Sequence, residues 1–496
     1  MNASFVIAAG IVLAMQQSAT PPTQAAGPSK QRSVVFYLID TCRADRLSAY
    51  GHRRKTSKFL EELSGMGARF ENCFSQSPWT KPSMSAILTS CYPTVTGMHR
   101  FFDQLDGSFV TLPEALRDAG WHTAGFSTNP VMGKMSNYQQ GFAEFTEAVE
   151  VIPGGDAIGH NTGSARALNE KVLPWLKKNE AWPYFLYLHS IDPHEEYAPA
   201  PEHMNRFTTS ARESEYQRQR REIREKNPGK VGSVCTQEHF DRAKVKVGPF
   251  IETAIALYDA DLCANDEEIE PLFEALKKQK VLDDLVFVVT SDHGEEFMEH
   301  GGTSHAYTLW NELLHVPLFI VAPGLVPAGL VVKEPVQSLD LYPTLLDLLD
   351  VTEPEGLQGR SFAPLCRGDV GDVGDGRPVF SEIHEMPGGE LFFPEQGHML
   401  SVIEGPWKYI LNLKSSLHRP RPRHELYRLD KDFAESKNLA DDEPERVERF
   451  ETMVLEWWAK NCARNRGVDV KSLTEQELGQ ADPETLARLR ELGYVR

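Results

Sequence analysis

Three apolar runs each end beside a side chain that can bind a metal ion, and this repeated arrangement restricts the fold more than any other feature of the chain. Ser33 to Ile39 (SVVFYLI) runs into Asp40, Leu285 to Thr290 (LVFVVT) is followed by Asp292-His293, and residues 184–188 (YFLYL) lead to Asp192 and His194. From residue 33 to about 365 such runs alternate with amphipathic helical patterns, the signature of a doubly wound α/β domain with helices on both faces of the sheet. In open α/β sheets, ligands bind beyond the carboxyl ends of the strands. Metal-type ligands at three such ends therefore mark a candidate site.

Thr80 completes the set. TKPSMSAIL opens a helical pattern with Met84, Ile87, Leu88 and Cys91 at helical spacing and Pro82 at an early position where proline is tolerated. The pattern places the Thr80 hydroxyl at or near a helix N-terminus, where anions are favoured. Taken alone, such a threonine is an N-cap contributing about 1 kcal/mol to helix stability. Its company gives it a second role, because a hydroxyl that also ligates a divalent ion is an activated nucleophile.

Asp40, Thr80, Asp292 and His293 are oxygen and imidazole ligands with no cysteine among them, so calcium, magnesium, manganese and zinc all suit them. The formal charge of -19, from 52 basic and 71 acidic residues, argues against nucleic acid or an anionic membrane as a general partner. An anionic substrate would have to be attracted locally, and bound cations are the natural source.

The remaining sequence sets the organisation. An apolar stretch at 5–15 reads as the core of a signal peptide, followed by a Pro/Ala/Gln-rich linker to residue 32, which implies export to the periplasm or outside the cell and no integral membrane segment in the mature chain. Helices are expected from Thr56-Ser57-Lys58, over 111–118 and over 339–349, with a strand over His122 to Ser127. Residues 206–230, dense in Arg and Glu, read as a solvated helical insertion or flap, and the Gly/Asp-rich 368–376 as a boundary. Beyond it come four short strand-like runs and an apolar-periodic helix at about 444–458, a smaller α+β subdomain. The expected partition is 1–32 leader and linker, 33–367 catalytic domain, 377–470 C-terminal subdomain and 471–496 tail. Seven cysteines without CxxC spacing suggest mostly buried free thiols and at most one or two disulfides, with no pairing assigned.

These motifs together carry a resemblance. SVVFYLIDTCRADRLSAYG, TKPSMSAILTSCYPTVTG, FLYLHSIDPHEEY, VVTSDHGEEFMEHGG with NELLHVPLFI, and SLDLYPTLLDLL are similar to the sulfatase branch of the alkaline phosphatase superfamily. GPWKYI and HELYRLDKDFAESKNLADD resemble its C-terminal subdomain, and LARLRELGYV resembles tails of bacterial sulfatase-like proteins. The resemblance implies a doubly wound mixed sheet flanked by helices, and that Asp40, Asp292 and His293 hold the metal. It also sets Thr80 at the cysteine of the motif C-x-P-S-R, the residue that sulfatases oxidise to formylglycine, and Met84 at its arginine.

Both departures bear on chemistry. A formylglycine hydrate takes sulfate on one hydroxyl and expels it by collapse of the other, but threonine has no second hydroxyl. By resemblance, threonine nucleophiles serve in the superfamily's phosphodiesterases and phosphoethanolamine transferases. The expected function is therefore metal-dependent hydrolysis of sulfate or phosphate esters, with phosphate mono- or diesters favoured. Sulfuric ester hydrolysis and an inactive anion- or glycan-binding protein are the alternatives. Phosphoryl transfer is disfavoured because no spanning segment is visible.

His194 and His305 match positions where relatives keep groups facing the ester, so either could protonate the leaving oxygen. The alternative is a second metal ion on Asp192, His194 and His305. Lys81 is the candidate for the positive charge that Met84 lacks. His189 is expected to end a strand and bond locally, His300 to support the site, and His315 to be structural.

Overall fold

The computed structural model describes residues 31–148, 164–179, 183–227, 235–369, 376–385, 397–415, 419–468, 476 and 483–492. The leader and most of 368–376 and 471–496 lie outside the described residues.

The strands, in chain order, are β1 (Ser33–Ile39), β2 (Ala68–Phe74), β3 (His122–Ser127), β4 (Glu144–Glu147), β5 (Tyr184–Ser190), β6 (Leu285–Thr290), β7 (Glu296–Phe297), β8 (Thr303–Ser304), β9 (His315–Val321), β10 (Leu330–Val332), β11 (Val336–Gln337), β12 (Val379–Ile383), β13 (His398–Glu404), β14 (Trp407–Lys414) and β15 (His424–Arg428). The large sheet has the order β10-β2-β9-β6-β1-β5-β3-β4, with β11 pairing to β2. β6, β1, β5 and β3 are mutually parallel. β9 is antiparallel to both β2 and β6, so β2 runs the same way as the central strands.

Side chains alternate across a strand, and here both faces are buried. Val35, Tyr37 and Ile39 join the core beneath the helices Lys58–Ser64, Ser164–Lys178 and Val247–Lys278. Val34, Phe36 and Leu38 join the opposite core beneath Thr80–Thr89 and Leu341–Leu348. The mixed, doubly wound architecture expected from the sequence is the one observed. Thr111 caps its helix, Leu112–Asp118, through a capping box with Glu114.

The C-terminal antiparallel sheet, β12-β13-β14-β15, covers one face with the helix Pro444–Arg466. Its other face meets Phe74, Leu309, Trp310 and Leu314 of the larger unit. All seven cysteines are buried and unpaired.

The 206–230 segment corrects its simplest reading. Its helix, Ser210–Lys226, buries Tyr216, Arg220 and Ile223. Arg220 bridges Glu195 and Glu196 at 2.8 Å each, beside His194. Among the described residues, no helix is long and apolar enough to cross a membrane.

Candidate active site

Because the central strands are parallel, their carboxyl ends lie along one edge, and the turns leaving β1, β6, β5 and β3 deliver Asp40, Asp292-His293, His194 and Asn129 to it. The turns are tied to one another. The Thr41 amide donates to Asp292 Oδ1 at 3.2 Å, and the Cys42 amide to Ser291 Oγ at 2.9 Å. The Asp40 amide donates to the Ser190 carbonyl at 2.9 Å. At Gly294 an added Cβ would stand 2.0 Å from the Glu312 carbonyl oxygen, so only glycine lets the loop pass.

Two carboxylate oxygens, Asp40 Oδ1 and Asp292 Oδ2, are buried without a hydrogen-bond partner. A buried polar atom without a partner is costly, and the neighbours explain the pair. His293 Nε2 lies 3.8 Å from Asp40 Oδ1 and 3.4 Å from Asp292 Oδ2. His293 Nδ1 donates to the Gly294 carbonyl at 2.9 Å, which leaves Nε2 as the lone-pair nitrogen. Thr80 Oγ1, on the first residue of its helix, stands 3.3 Å from Nε2. Three donor atoms and a hydroxyl thus converge with nothing between them to bond, an arrangement suited to a divalent cation.

The other oxygen of Asp40 is already satisfied. Asn129 Nδ2 donates to Oδ2 at 2.5 Å and His189 Nε2 approaches it at 2.9 Å. The Tyr187 hydroxyl lies 2.9 Å from His189 Nδ1, which completes a Tyr187–His189–Asp40 chain. The ligand-capable atoms of Asp40, His189 and Asp292 cluster as a metal-binding triad would. Even so, His189 faces the satisfied oxygen and holds Asp40 from behind, as outer partners of metal ligands do. Met84 is fully buried with its Sδ 3.8 Å from the Tyr187 hydroxyl.

The electrostatics follow burial. Burial works to raise the Asp40 carboxyl, but the His189 hydrogen bond and charge overcome it and hold the group well below the ordinary carboxylate range. Burial and the Asp40 charge push Asp292 up, and burial keeps His293 well below its usual value, the neutral form a ligand needs.

Of the sequence candidates, Asp40, Thr80, Asp292, His293, His194 and His305 come together. His305 lies 4.6 Å from His293 and 4.9 Å from His194 by ring centroid. His194 Nδ1 bonds the Glu195 carbonyl at 2.5 Å. Two others do not follow expectation. The Lys81 ammonium is drawn onto the main-chain carbonyls of Phe101 and Asp103, the latter at 2.7 Å, and so holds that loop. Asp192 accepts from the Ser164 amide at 2.7 Å, capping the helix Ser164–Lys178, so its carboxylate is engaged away from a second-metal role.

Sequence reasoning passed over Asn129 and Glu295 and read His189 as a local strand-end partner. Glu295 Oε1 lies 3.0 Å from His305 Nδ1, and burial pushes the Glu295 carboxyl up to about 8. The signal for Glu295 was its place two residues after the metal-type dipeptide. His300, bonded to Glu312 at 2.6 Å, and His315, bonded to the Glu71 carbonyl at 2.7 Å, support the fold.

The Sulfatase family matches residues 32–351, and the N-sulphoglucosamine sulphohydrolase C-terminal family matches 299–454. The chain is 22% identical over 426 residues to an N-acetylglucosamine-6-O-sulfatase of Bacteroides thetaiotaomicron, covering 72% of this chain and 75% of that one. It is 26% identical over 420 residues to arylsulfatase K of Rattus norvegicus, with 78% and 71% covered. BT4656, solved in complex with its substrate D-glucosamine-2-N,6-O-disulfate, shares the fold at a TM-score of 0.67, with 19% identity and coverage of 89% and 99%. A phosphonate monoester hydrolase of Agrobacterium radiobacter does so at 0.67, with 18% identity and coverage of 87% and 96%.

Proposed function

Because the chain belongs to the sulfatase family of ester hydrolases, we propose that it is a metal-dependent hydrolase of phosphate mono- or diesters with Thr80 as its nucleophile. The observation carrying this reading is the convergence of Asp40 Oδ1, Asp292 Oδ2 and His293 Nε2, two of them buried acceptors without partners, on the Thr80 hydroxyl. Asp40, Asp292, His293 and Thr80 would hold the ion. When bound, it supplies positive charge that lowers the pKa of the Thr80 hydroxyl and polarises the ester.

The residues supply the rest. The Thr80 hydroxyl gives its proton to solvent and its Oγ attacks phosphorus as the bond to the leaving oxygen breaks, and the helix N-terminus stabilises charge on the remaining oxygens. His305, fixed at Nδ1 by Glu295, donates its Nε2 proton to the leaving oxygen. Water, giving a proton back to His305, then attacks phosphorus and displaces Thr80, whose oxygen takes up a proton from solvent. His194 contacts the anion.

The phosphonate monoester hydrolase neighbour favours phosphorus, as does the lack of a second hydroxyl on threonine. Sulfate ester hydrolysis is the second reading, favoured by the relatives named as sulfatases. The test is a panel of aryl sulfate, aryl phosphate, phosphodiester and phosphonate monoester substrates, each with calcium, magnesium, manganese and zinc. Phosphorus substrates should turn over fastest, and Thr80→Ala should abolish turnover while stoichiometric metal remains. Full activity in Thr80→Ala would remove Thr80 from the mechanism. A wild-type protein without turnover or stoichiometric metal would point to an anion-binding role.

A further inference from the structure

His305 stands on a segment that does not hold its own shape. It is flanked by Ser304 at φ 71 and Ala306 at φ 77, both in the left-handed region that non-glycine residues avoid. Two non-glycine residues in that region on either side of one imidazole persist only where the surroundings fix them. The incoming arm is the two-residue strand pair β7–β8, in register Glu296 with Ser304 and Phe297 with Thr303. That register makes Glu295 and His305 the next facing positions, and their 3.0 Å bond is its direct consequence.

The grip on this hairpin comes from outside it. Arg419, which lies between β14 and β15 of the C-terminal sheet, sends both terminal nitrogens to Glu296, at 2.8 Å and 2.7 Å, and one of them to the His300 carbonyl at 3.3 Å. Both side chains are almost wholly buried. Glu296 Oε1 in turn accepts from the Gly302 amide at 3.0 Å, closing the turn of the hairpin. A Cβ at Gly302 would stand 2.4 Å from Arg419 Nη1, so the guanidinium lies against the backbone itself. On the far side the Ala306 amide donates to the Pro78 carbonyl at 3.0 Å, two residues before Thr80.

We infer that Arg419 is a positioning residue for the reaction. Through the forked ion pair with Glu296 it fixes the β7–β8 register that places Glu295 against His305 Nδ1 and so presents His305 Nε2 to the leaving oxygen. A planar fork bonded at both tips sets orientation as well as distance, which a lysine cannot reproduce. The C-terminal subdomain thereby takes part in the chemistry without touching substrate. This inference rests on the proposed role of His305 as the acid.

The experiment compares Arg419→Met, Arg419→Lys and Glu296→Gln with wild type on esters of graded leaving-group pKa. Loss of a well-placed acid matters most for poor leaving groups, so kcat should fall about tenfold to a hundredfold for alkyl esters. It should fall little for p-nitrophenyl esters, with KM and bound metal unchanged. In a His305→Ala background the Arg419 substitutions should add nothing further. Equal losses for all leaving groups, or additive losses with His305→Ala, would overturn the inference and reduce Arg419 to a stabilising residue. If Arg419→Met fails to fold, the Lys and Gln variants carry the same comparison. A crystal structure of a folded variant gives an arm independent of turnover: an intact Glu295–His305 bond in native geometry refutes the positioning role. Absence of turnover in wild type would instead sink the functional reading.

Discussion

His189 provides a sharp test of how the candidate metal centre is built, because a ligand and a support respond differently to the same substitutions. Asp40 Oδ2 has two partners, Asn129 at 2.5 Å and His189 at 2.9 Å, while Oδ1 has none. A hydrogen bond to an ionised acceptor contributes about 1.5–3 kcal/mol, and loss of an outer partner typically weakens metal binding by about 10–100-fold. Since Asn129 remains, His189→Ala should sit at the lower end, about tenfold, and His189→Gln, which keeps an N–H donor, should recover most of it. The double substitution with Asn129→Ala should cost about a hundredfold or more. Calorimetric titration of chelator-stripped protein with calcium, magnesium, manganese and zinc reads each affinity directly. If His189→Gln binds as poorly as His189→Ala, and both lose metal altogether, His189 is itself a ligand and the support argument fails. Unchanged affinity in the double variant would remove Asp40 from the centre.

Lys408 and Glu435 form a fully buried pair at 2.8 Å between β14 and the loop after β15. Lys408→Ala leaves an uncompensated carboxylate and should destabilise the protein by about 3 kcal/mol, read as a lower midpoint in urea; an unchanged midpoint would contradict the burial. Burial raises the Asp192 carboxyl from 3.8 to about 6, so the folded state binds its proton more tightly than the unfolded state. That contribution to stability is full below about pH 4 and lost as pH rises through about 6; Asp192→Asn should lack this slope, so melting curves of the two proteins at pH 4.5 and 7.5 should diverge at the higher pH in favour of the variant. Gly294→Ala should abolish metal binding with little change in the core, because its Cβ meets the Glu312 backbone; metal analysis checks it.

The fold was legible wherever a residue's fate depends on its near neighbours in sequence. The runs ending at Asp40 and Asp292 are strands because their residues are apolar, and they carry ligand-type side chains because their carboxyl ends meet at the edge of the sheet where ligands bind. What could not be read is who stands behind those ligands. His189 and Asn129 reach Asp40 across 149 and 89 residues of chain, and nothing around either distinguishes it from a strand-end residue. Glu295 and Glu296 are adjacent and chemically alike, yet one meets His305 and the other Arg419, a division that only the hairpin register decides. The helix Ser210–Lys226 did carry a signal: Tyr216, Arg220 and Ile223 recur at intervals of four and three, a buried stripe hidden among charges.

Met84, where the sulfatase motif that this segment resembles has an arginine, changes what the rest of the pocket must provide. An arginine carries a permanent charge and five donors, whereas the thioether of Met84 carries none and lies against the Tyr187 hydroxyl. The Tyr187–His189 chain then orients Asp40 by hydrogen bonds alone. Lys81 does not replace the lost charge, because its ammonium is drawn onto the Phe101 and Asp103 carbonyls. With Asp40 ionised and His293 held neutral, a phosphate ester entering beside Thr80 meets negative charge that a cation and the helix N-terminus would offset. Dependence on metal should therefore be more complete here than where an arginine shares the task. Chelation should remove substrate binding along with turnover, and a chelated enzyme that still binds a non-hydrolysed substrate analogue with the Kd of the metal-loaded enzyme would show that the positive field has another source.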